Sequence, residues 1–323
     1  MTSVAHDITA AAPVVVRPPS RLASGLTLAV VSATAFGTSG ALARGLLDAG
    51  WSAGAVVLAR VGLAALIVAP LGAIALRGRW SLLRRNAGLL TVYGLLAVAG
   101  AQFCYFSAVS HMQVAPALMI EYTAPAAVVL WVWLRQGQRP GRLTLVGAAL
   151  AALGLVLVLD LSSGAGVSTS GILWSLGAMV GAASYFVISA DERTGLPPLT
   201  LAGGGLVVAS LALGLLGAIG ALPMDGSTAA TSYAGRSVPW WVPLAVLGVV
   251  SAAIAYTMGI EASRRLGSRL ASFVGLLEVV AAVGFAWLLL GELPRVVQLV
   301  GGLLILAGVV AVRMGERAAG PRS

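Results

Sequence analysis

The sequence predicts an all-α integral membrane protein whose ten transmembrane helices form two inverted five-helix repeats. Three observations carry that expectation. Ten apolar runs are long enough to cross a bilayer, the chain aligns with itself at an offset of 154 residues, and its arginines gather on one side of the runs. Of 323 residues, 59% are hydrophobic and 10% charged, and mean hydropathy is +0.97. Soluble domains carry roughly 25% charged residues.

A helix crossing the ~30 Å hydrocarbon core takes about 20 apolar residues. Qualifying runs fall at about 22–43, 53–76, 86–109, 113–135, 142–160, 170–190, 199–222, 240–262, 269–290 and 295–314. Residues 1–20 are Ala/Val/Pro-rich, include Arg17-Pro18-Pro19, and lack the basic-then-apolar order and cleavage site of a signal peptide. They read as a disordered cytoplasmic tail, and residues 315–323 as a second tail. The longest connection, Pro223 to Pro239, is Gly/Ser/Thr-rich and reads as a loop. The one cysteine, Cys104, lies inside an apolar run, so no disulfide framework is available.

Arginine placement sets the orientation. All 20 basic residues are arginine, which fits a GC-rich bacterial coding bias. With the N-terminus in the cytoplasm, sixteen arginines face inward, while Arg44, Arg236 and Arg295 face outward and Arg60 lies inside the second run. The positive-inside rule selects this arrangement, with both termini cytoplasmic in a bacterial plasma membrane. The net charge of +9 therefore points to the lipid bilayer as partner rather than to nucleic acid.

The offset of 154 pairs Ala117 with Ala271, Trp133 with Trp287, Gly137 with Gly291, Pro140 with Pro294, Gly147 with Gly301 and Gly154 with Gly308. It divides the chain into a first repeat over 21–161 and a second over 169–314. Five runs per half is an odd number, so the halves must lie in the membrane with opposite topology. Inverted repeats of this kind imply alternating access to a site near the midplane. Gly147, Gly154, Gly301, Gly302 and Gly308 make small-residue faces that let helices approach closely. Such faces serve packing within the chain, with a homodimer interface as the alternative.

Glu121 is the most expensive residue to place. It lies in Ala115–Pro125, where a carboxylate at a helix centre costs about 2.5–3.5 kcal/mol on insertion scales. Pro125 has no N–H, so in a helix the Glu121 carbonyl loses its donor. Discontinuous helices with freed backbone groups are how many transporters build a substrate site. The plainer alternative is a proline kink beside a glutamate neutralised by an arginine. Glu278 sits mid-way along the ninth run, about one helical turn from Glu121 in repeat register. Facing one cavity, the two carboxylates would titrate as a coupled pair suited to proton coupling. Otherwise each serves a separate salt bridge. Arg60 either holds a substrate carboxylate, which its guanidinium matches, or pairs with one of the glutamates. Gln102, Tyr105, Tyr122, Tyr185 and Tyr256 supply hydroxyl and amide groups for a polar ligand, or helix–helix hydrogen bonds. His111 ends the third run near the outer face and is expected to be incidental. Trp131, Trp133 and Trp287 read as interfacial anchors.

Ala117–Pro125 followed by Trp133–Pro140, and Ala271–Glu278 followed by Trp287-Leu288-Leu289-Leu290-Gly291-Glu292, resemble a bacterial drug/metabolite transporter with two EamA-type domains. Leu58-Ala59-Arg60-Val61 resembles that family's second-span arginine. Phe36-Gly37 stands where the family has Trp-Gly, and Gln138 stands where the second half has Glu292. Ile120–Pro125 is similar to exporters of threonine, homoserine and related amino acids. The resemblance implies a secondary exporter of a small-molecule solute.

No enzyme signature emerges. Gly203-Gly204-Gly205 lacks the following Lys of a nucleotide-binding loop, and no His/Cys/Asp cluster has metal spacing. No cofactor, metal or catalytic residue is expected. Three functions remain in view: amino-acid export, export of lipophilic cationic drugs, and a membrane protein that transports nothing.

Overall fold

A computed structural model of the chain describes residues 20–111, 117, 120–137, 140–159, 168–291, 293 and 295–318. Among these the chain is helical apart from one antiparallel hairpin, β1 (Thr231–Tyr233) and β2 (Arg236–Val238). The helices are α1 (Ser20–Asp48), α2 (Ala53–Ala75), α3 (Ser81–Arg85), α4 (Ala87–Val92), α5 (Ala101–His111), α6 (Ala124–Gln136), α7 (Arg142–Leu159), α8 (Thr169–Ser189), α9 (Pro198–Ala218), α10 (Trp241–Gly248), α11 (Ala255–Leu266), α12 (Ser268–Gly275), α13 (Leu277–Leu290) and α14 (Val296–Ala318). Seven segments are long and apolar enough to cross a membrane, and 124–135, 142–157 and 299–312 are shorter apolar helices. The expected tails and the positions of Gln113, Gln138, Arg139, Glu292 and Pro294 lie outside the described residues, save that α1 begins at Ser20 and α14 runs on to Ala318.

Local chemistry fixes the ends of these helices. Ser52 caps α2 by accepting from the Ala55 amide (3.3 Å), and Ser168 caps α8 by accepting from Gly171 (3.0 Å). Gly137 closes α6 and Gly291 closes α13, both left-handed at φ 67° and 74°. Their amides donate to the Trp133 and Trp287 carbonyls at 2.9 and 3.0 Å. A side chain is disfavoured at that φ, so glycine recurs at both sites.

Burial runs opposite to that of a soluble protein. Leu66, Ile74 and Leu134 are 73–75% exposed, whereas Arg60 is 1% exposed. Aliphatic side chains point outward and the charged residue points inward, as a hydrocarbon solvent requires. The main apolar core lies among α1, α2, α9 and the α10–α11 segment. A second core joins α7 and α14 to α12 and α13. The seam between α7 and α14 is made by glycine. A Cβ on Gly154 would sit 2.5 Å from the Gly301 carbonyl oxygen, and one on Gly147 2.6 Å from that of Gly308. Those small-residue faces therefore pack against each other within the chain.

Two features were not expected. Tyr93–Gly100, between α4 and α5, and Val249–Ile254, between α10 and α11, are π-helical. Wider turns of this kind offset the backbone hydrogen-bond ladder and are frequent at functional sites. Of the two expectations at Pro125, a discontinuous helix and a mid-span kink, the structure shows the first. Residues 120 and 121 are helical, Tyr122 and Thr123 form a turn, and α6 then begins with Pro125 in its first turn, where a missing N–H is harmless. A second break separates α12 from α13 at Leu276. Glu121 and Glu278 lie beside these two breaks.

Candidate functional site

Two adjoining cavities, of about 90 and 40 Å³, occupy the interior. All nine residues singled out from sequence line one or both. Pro125, Tyr185 and Tyr256 line the larger, and Arg60 and Tyr105 the smaller. Gln102, Glu121, Tyr122 and Glu278, together with Phe36, line both and so form the wall between them.

The local backbone explains the convergence. Each glutamate sits where its helix is interrupted, which lets the segment turn a carboxylate into the interior. Thr123 closes the first break, its amide donating to Ile120 O at 3.1 Å and its hydroxyl to the same oxygen at 2.6 Å. Tyr122 lies against Glu278, and the two carboxylates are close enough to feel each other's charge. Aromatic rings complete the wall. Phe36, Tyr185 and Tyr256 meet edge-to-face, with centroids 5.1–6.3 Å apart. This is the geometry that ring quadrupoles favour.

Arg60 is held by neutral groups. Its Nη1 donates to Gln102 Oε1 (2.8 Å), its Nη2 donates to the Ser251 carbonyl (2.6 Å), and its guanidinium lies 5.9 Å from the Phe36 ring centroid. The Nε has no hydrogen-bond partner. Ion pairs within 4 Å join Arg44 to Asp48, Arg193 to Asp191 and Arg265 to Glu261, and none among the described residues includes Arg60, Glu121 or Glu278. The alternatives in which Arg60 ion-pairs with a glutamate, or an arginine contacts and neutralises Glu121, are thus not found. The lining of the two cavities thus carries one guanidinium and two carboxylates with no ion pair within 4 Å between them.

Sequence reasoning missed several lining groups. Phe36 and Phe186 face the larger cavity, as do Ser32, Ser263 and Ser272. Ser32 and Ser263 fall four helical turns or fewer from charged landmarks, yet a serine in a small-residue helix carries no signal of its direction. The Ser251 carbonyl that accepts from Arg60 lies in a π-helical segment, which no side chain announces. His111 is exposed, with Nδ1 2.8 Å from the Ser107 carbonyl.

A bilayer-compatible helical chain enclosing a charged, aromatic-walled cavity has the architecture of a membrane transport protein. The chain belongs to the EamA-like transporter family, which matches it twice, over residues 23–160 and 169–314. It is similar to the threonine/homoserine exporter RhtA of Escherichia coli strain K12, with 28% identity over 233 residues, covering 70% of each chain. It is also similar to the pseudopaline exporter CntI of Pseudomonas aeruginosa, with 26% identity over 296 residues, covering 90% of this chain and 96% of that protein. A solved crystal structure with 22% identity matches the fold with a TM-score of 0.68, covering 92% of this chain and 99% of that one.

Proposed function

We propose that this protein is a secondary-active exporter of a small zwitterionic metabolite, an amino acid or a derivative, working by alternating access with proton coupling. In this reading ten spans form two inverted repeats, over 21–161 and 169–314, with both termini cytoplasmic. Support for the repeats comes from paired features at closely matching offsets: the helix breaks at Thr123 and Leu276, the left-handed caps at Gly137 and Gly291, and the two π-helical segments. The observation that carries the mechanism is the placement of Glu121 and Glu278 at the two breaks, in the wall shared by the two cavities. Solute ammonium and protons then compete for the same carboxylates, while Arg60 receives the solute carboxylate on donors now shared with neutral acceptors.

The two ends of the chain differ in a way that fits one step of such a cycle. At the end holding the C-terminus of α1, the hairpin packs as a lid. Tyr233 is buried against Gly45, its hydroxyl donates to the Leu42 carbonyl (2.7 Å), and the Ala234 amide donates to Leu289 O (2.6 Å) on α13. The opposite end holds an open cavity of about 710 Å³. Solute would enter from that end, the cytoplasmic one in the proposed orientation.

Cavity size favours amino acids over drugs. Sites for drug-sized ligands run to about 300–1,000 Å³, against about 90 Å³ for the larger central cavity. The test is efflux from loaded cells or everted vesicles across an amino-acid panel and a cationic-dye panel, for wild type, Glu121→Gln and Glu278→Gln. Wild type is expected to export an amino acid, and each variant to bind it while losing proton-driven export. Normal proton-driven export by both variants removes the carboxylates from the mechanism. Dye export without amino-acid export replaces the substrate class.

A further inference from the structure

We propose that the open cavity at the N-terminal end of α1 is a binding site for a phosphate-class anion, supplied either by a free phosphate-bearing solute or by the headgroup of an anionic phospholipid. The site is separate from the central cavities, and the inference does not draw on the transport reading. Five arginines line it: Arg21 on α1, Arg77 and Arg79 just beyond α2, and Arg264 and Arg265 at the end of α11. Two carboxylates share the lining. Glu261 is taken up by Arg265, at 2.6 Å, which leaves Glu192. Among the described residues Arg21, Arg77, Arg79 and Arg264 form no ion pair within 4 Å. Five guanidiniums against two carboxylates give this concavity an excess of positive charge, and an anion among them reduces the repulsion.

The positive-inside bias accounts for arginines near this end but not for how Arg264 is held. Its Nη1 donates to the Leu196 carbonyl at 2.5 Å, and its Nε and Nη2 are buried without a partner. The charge is therefore fixed in the wall of the cavity instead of being solvated at a rim, and water screens it weakly. Phosphate matches the guanidinium fork, and basic pockets between membrane helices recognise phospholipid headgroups in the same way. The arginines come from both family-matched segments, 23–160 apart from Arg21 at its edge and 169–314. An occupant would bridge α1 and α2 to α11, reinforcing the Arg265 Nη1 to Ser24 Oγ contact (2.8 Å).

The experiment follows thermal unfolding of the intact purified protein in neutral detergent. Sodium phosphate is titrated against sodium chloride at matched ionic strength. The protein is then compared in phosphatidylcholine nanodiscs with and without phosphatidylglycerol. Wild type is tested beside Arg264→Gln and beside Arg79→Gln, an exposed position whose substitution leaves the core untouched. A saturable rise of about 2–4 °C with phosphate but not chloride, weakened about tenfold in Arg79→Gln, supports a free anion. No phosphate response, with stabilisation by phosphatidylglycerol that Arg79→Gln loses, supports the lipid headgroup. No stabilisation by either, or the same response in wild type and both variants, overturns the proposal.

Discussion

Replacing Gly154 by alanine should loosen the protein even though alanine is the better helix former. The added Cβ would lie 2.5 Å from the Gly301 carbonyl oxygen and 2.7 Å from the Ile305 amide nitrogen, both backbone atoms of α14. Ordinary contact begins near 3.4 Å, so α7 and α14 must part by about 0.9 Å. No flexible side chain can absorb the shift. Overpacking of this kind costs about 1–3 kcal/mol, and removing a helical glycine returns about 0.5–1 kcal/mol. The net loss is about 1–2 kcal/mol, or a fall in Tm of about 2–4 °C. Gly214→Ala, in α9, is the matched control. Nothing lies within 4 Å of its added Cβ, so only the propensity gain remains and Tm should hold or rise slightly. The assay is thermal unfolding of both variants in one detergent, with size-exclusion traces to confirm the same assembly. If Gly154→Ala melts at or above Gly214→Ala, α7 and α14 do not meet as described, and their glycine faces are free to serve contacts between chains.

Two further outcomes follow from the ends of the molecule. Tyr233→Phe keeps the ring against Gly45 but leaves the Leu42 carbonyl without its donor, a loss of about 1 kcal/mol. Amide exchange over residues 223–239 should then quicken about fivefold, and unchanged exchange would mean the hydroxyl does not hold the lid. At the other end, Arg193 donates to Asp191 at 2.9 Å and holds its carboxyl below the usual range. A carboxylate with a depressed folded value stabilises above its unfolded value of about 3.9 and loses that contribution as pH falls through the folded one. Wild type should therefore melt slightly above Asp191→Asn at pH 7, with the gap closing below about pH 4. A gap that persists in acid would assign it to packing.

The sequence made some features legible because the membrane raises their cost. A carboxylate or guanidinium in an apolar run needs a polar interior, so Glu121, Glu278 and Arg60 converge on the cavities as their chemistry demands. Tyr105, Tyr122, Tyr185 and Tyr256 line the same cavities. Backbone geometry carried no comparable mark. The π-helical segments are mostly the Ala, Val, Leu and Gly that also fill their α-helical neighbours, with Tyr93, Ser251 and Ile254 among them, so nothing marks the carbonyl that Ser251 offers to Arg60. Pro125 announced a disturbance but not its form. A proline bends a helix in mid-span and starts one in its first turn, and only the neighbouring turn at Tyr122–Thr123 decides between them. The hairpin within the expected loop Pro223–Pro239 leaves no periodic mark, because its strands are three residues long.

The glycine seam has a mechanical consequence. α7 and α14 come from different halves of the chain and touch backbone to backbone at two levels, through Gly147 with Gly308 and Gly154 with Gly301. Contacts this close tolerate rotation better than separation, because sliding apart by even a side-chain width forfeits the dispersion that joins them. A comparable approach joins α2 to α9, where a Cβ on Gly72 would lie 2.7 Å from the Leu199 carbonyl oxygen and one on Gly203 3.0 Å from that of Val68. The two family-matched segments, 23–160 and 169–314, are therefore stitched backbone to backbone along two separate seams, and a displacement that pulls them apart forfeits contacts at both.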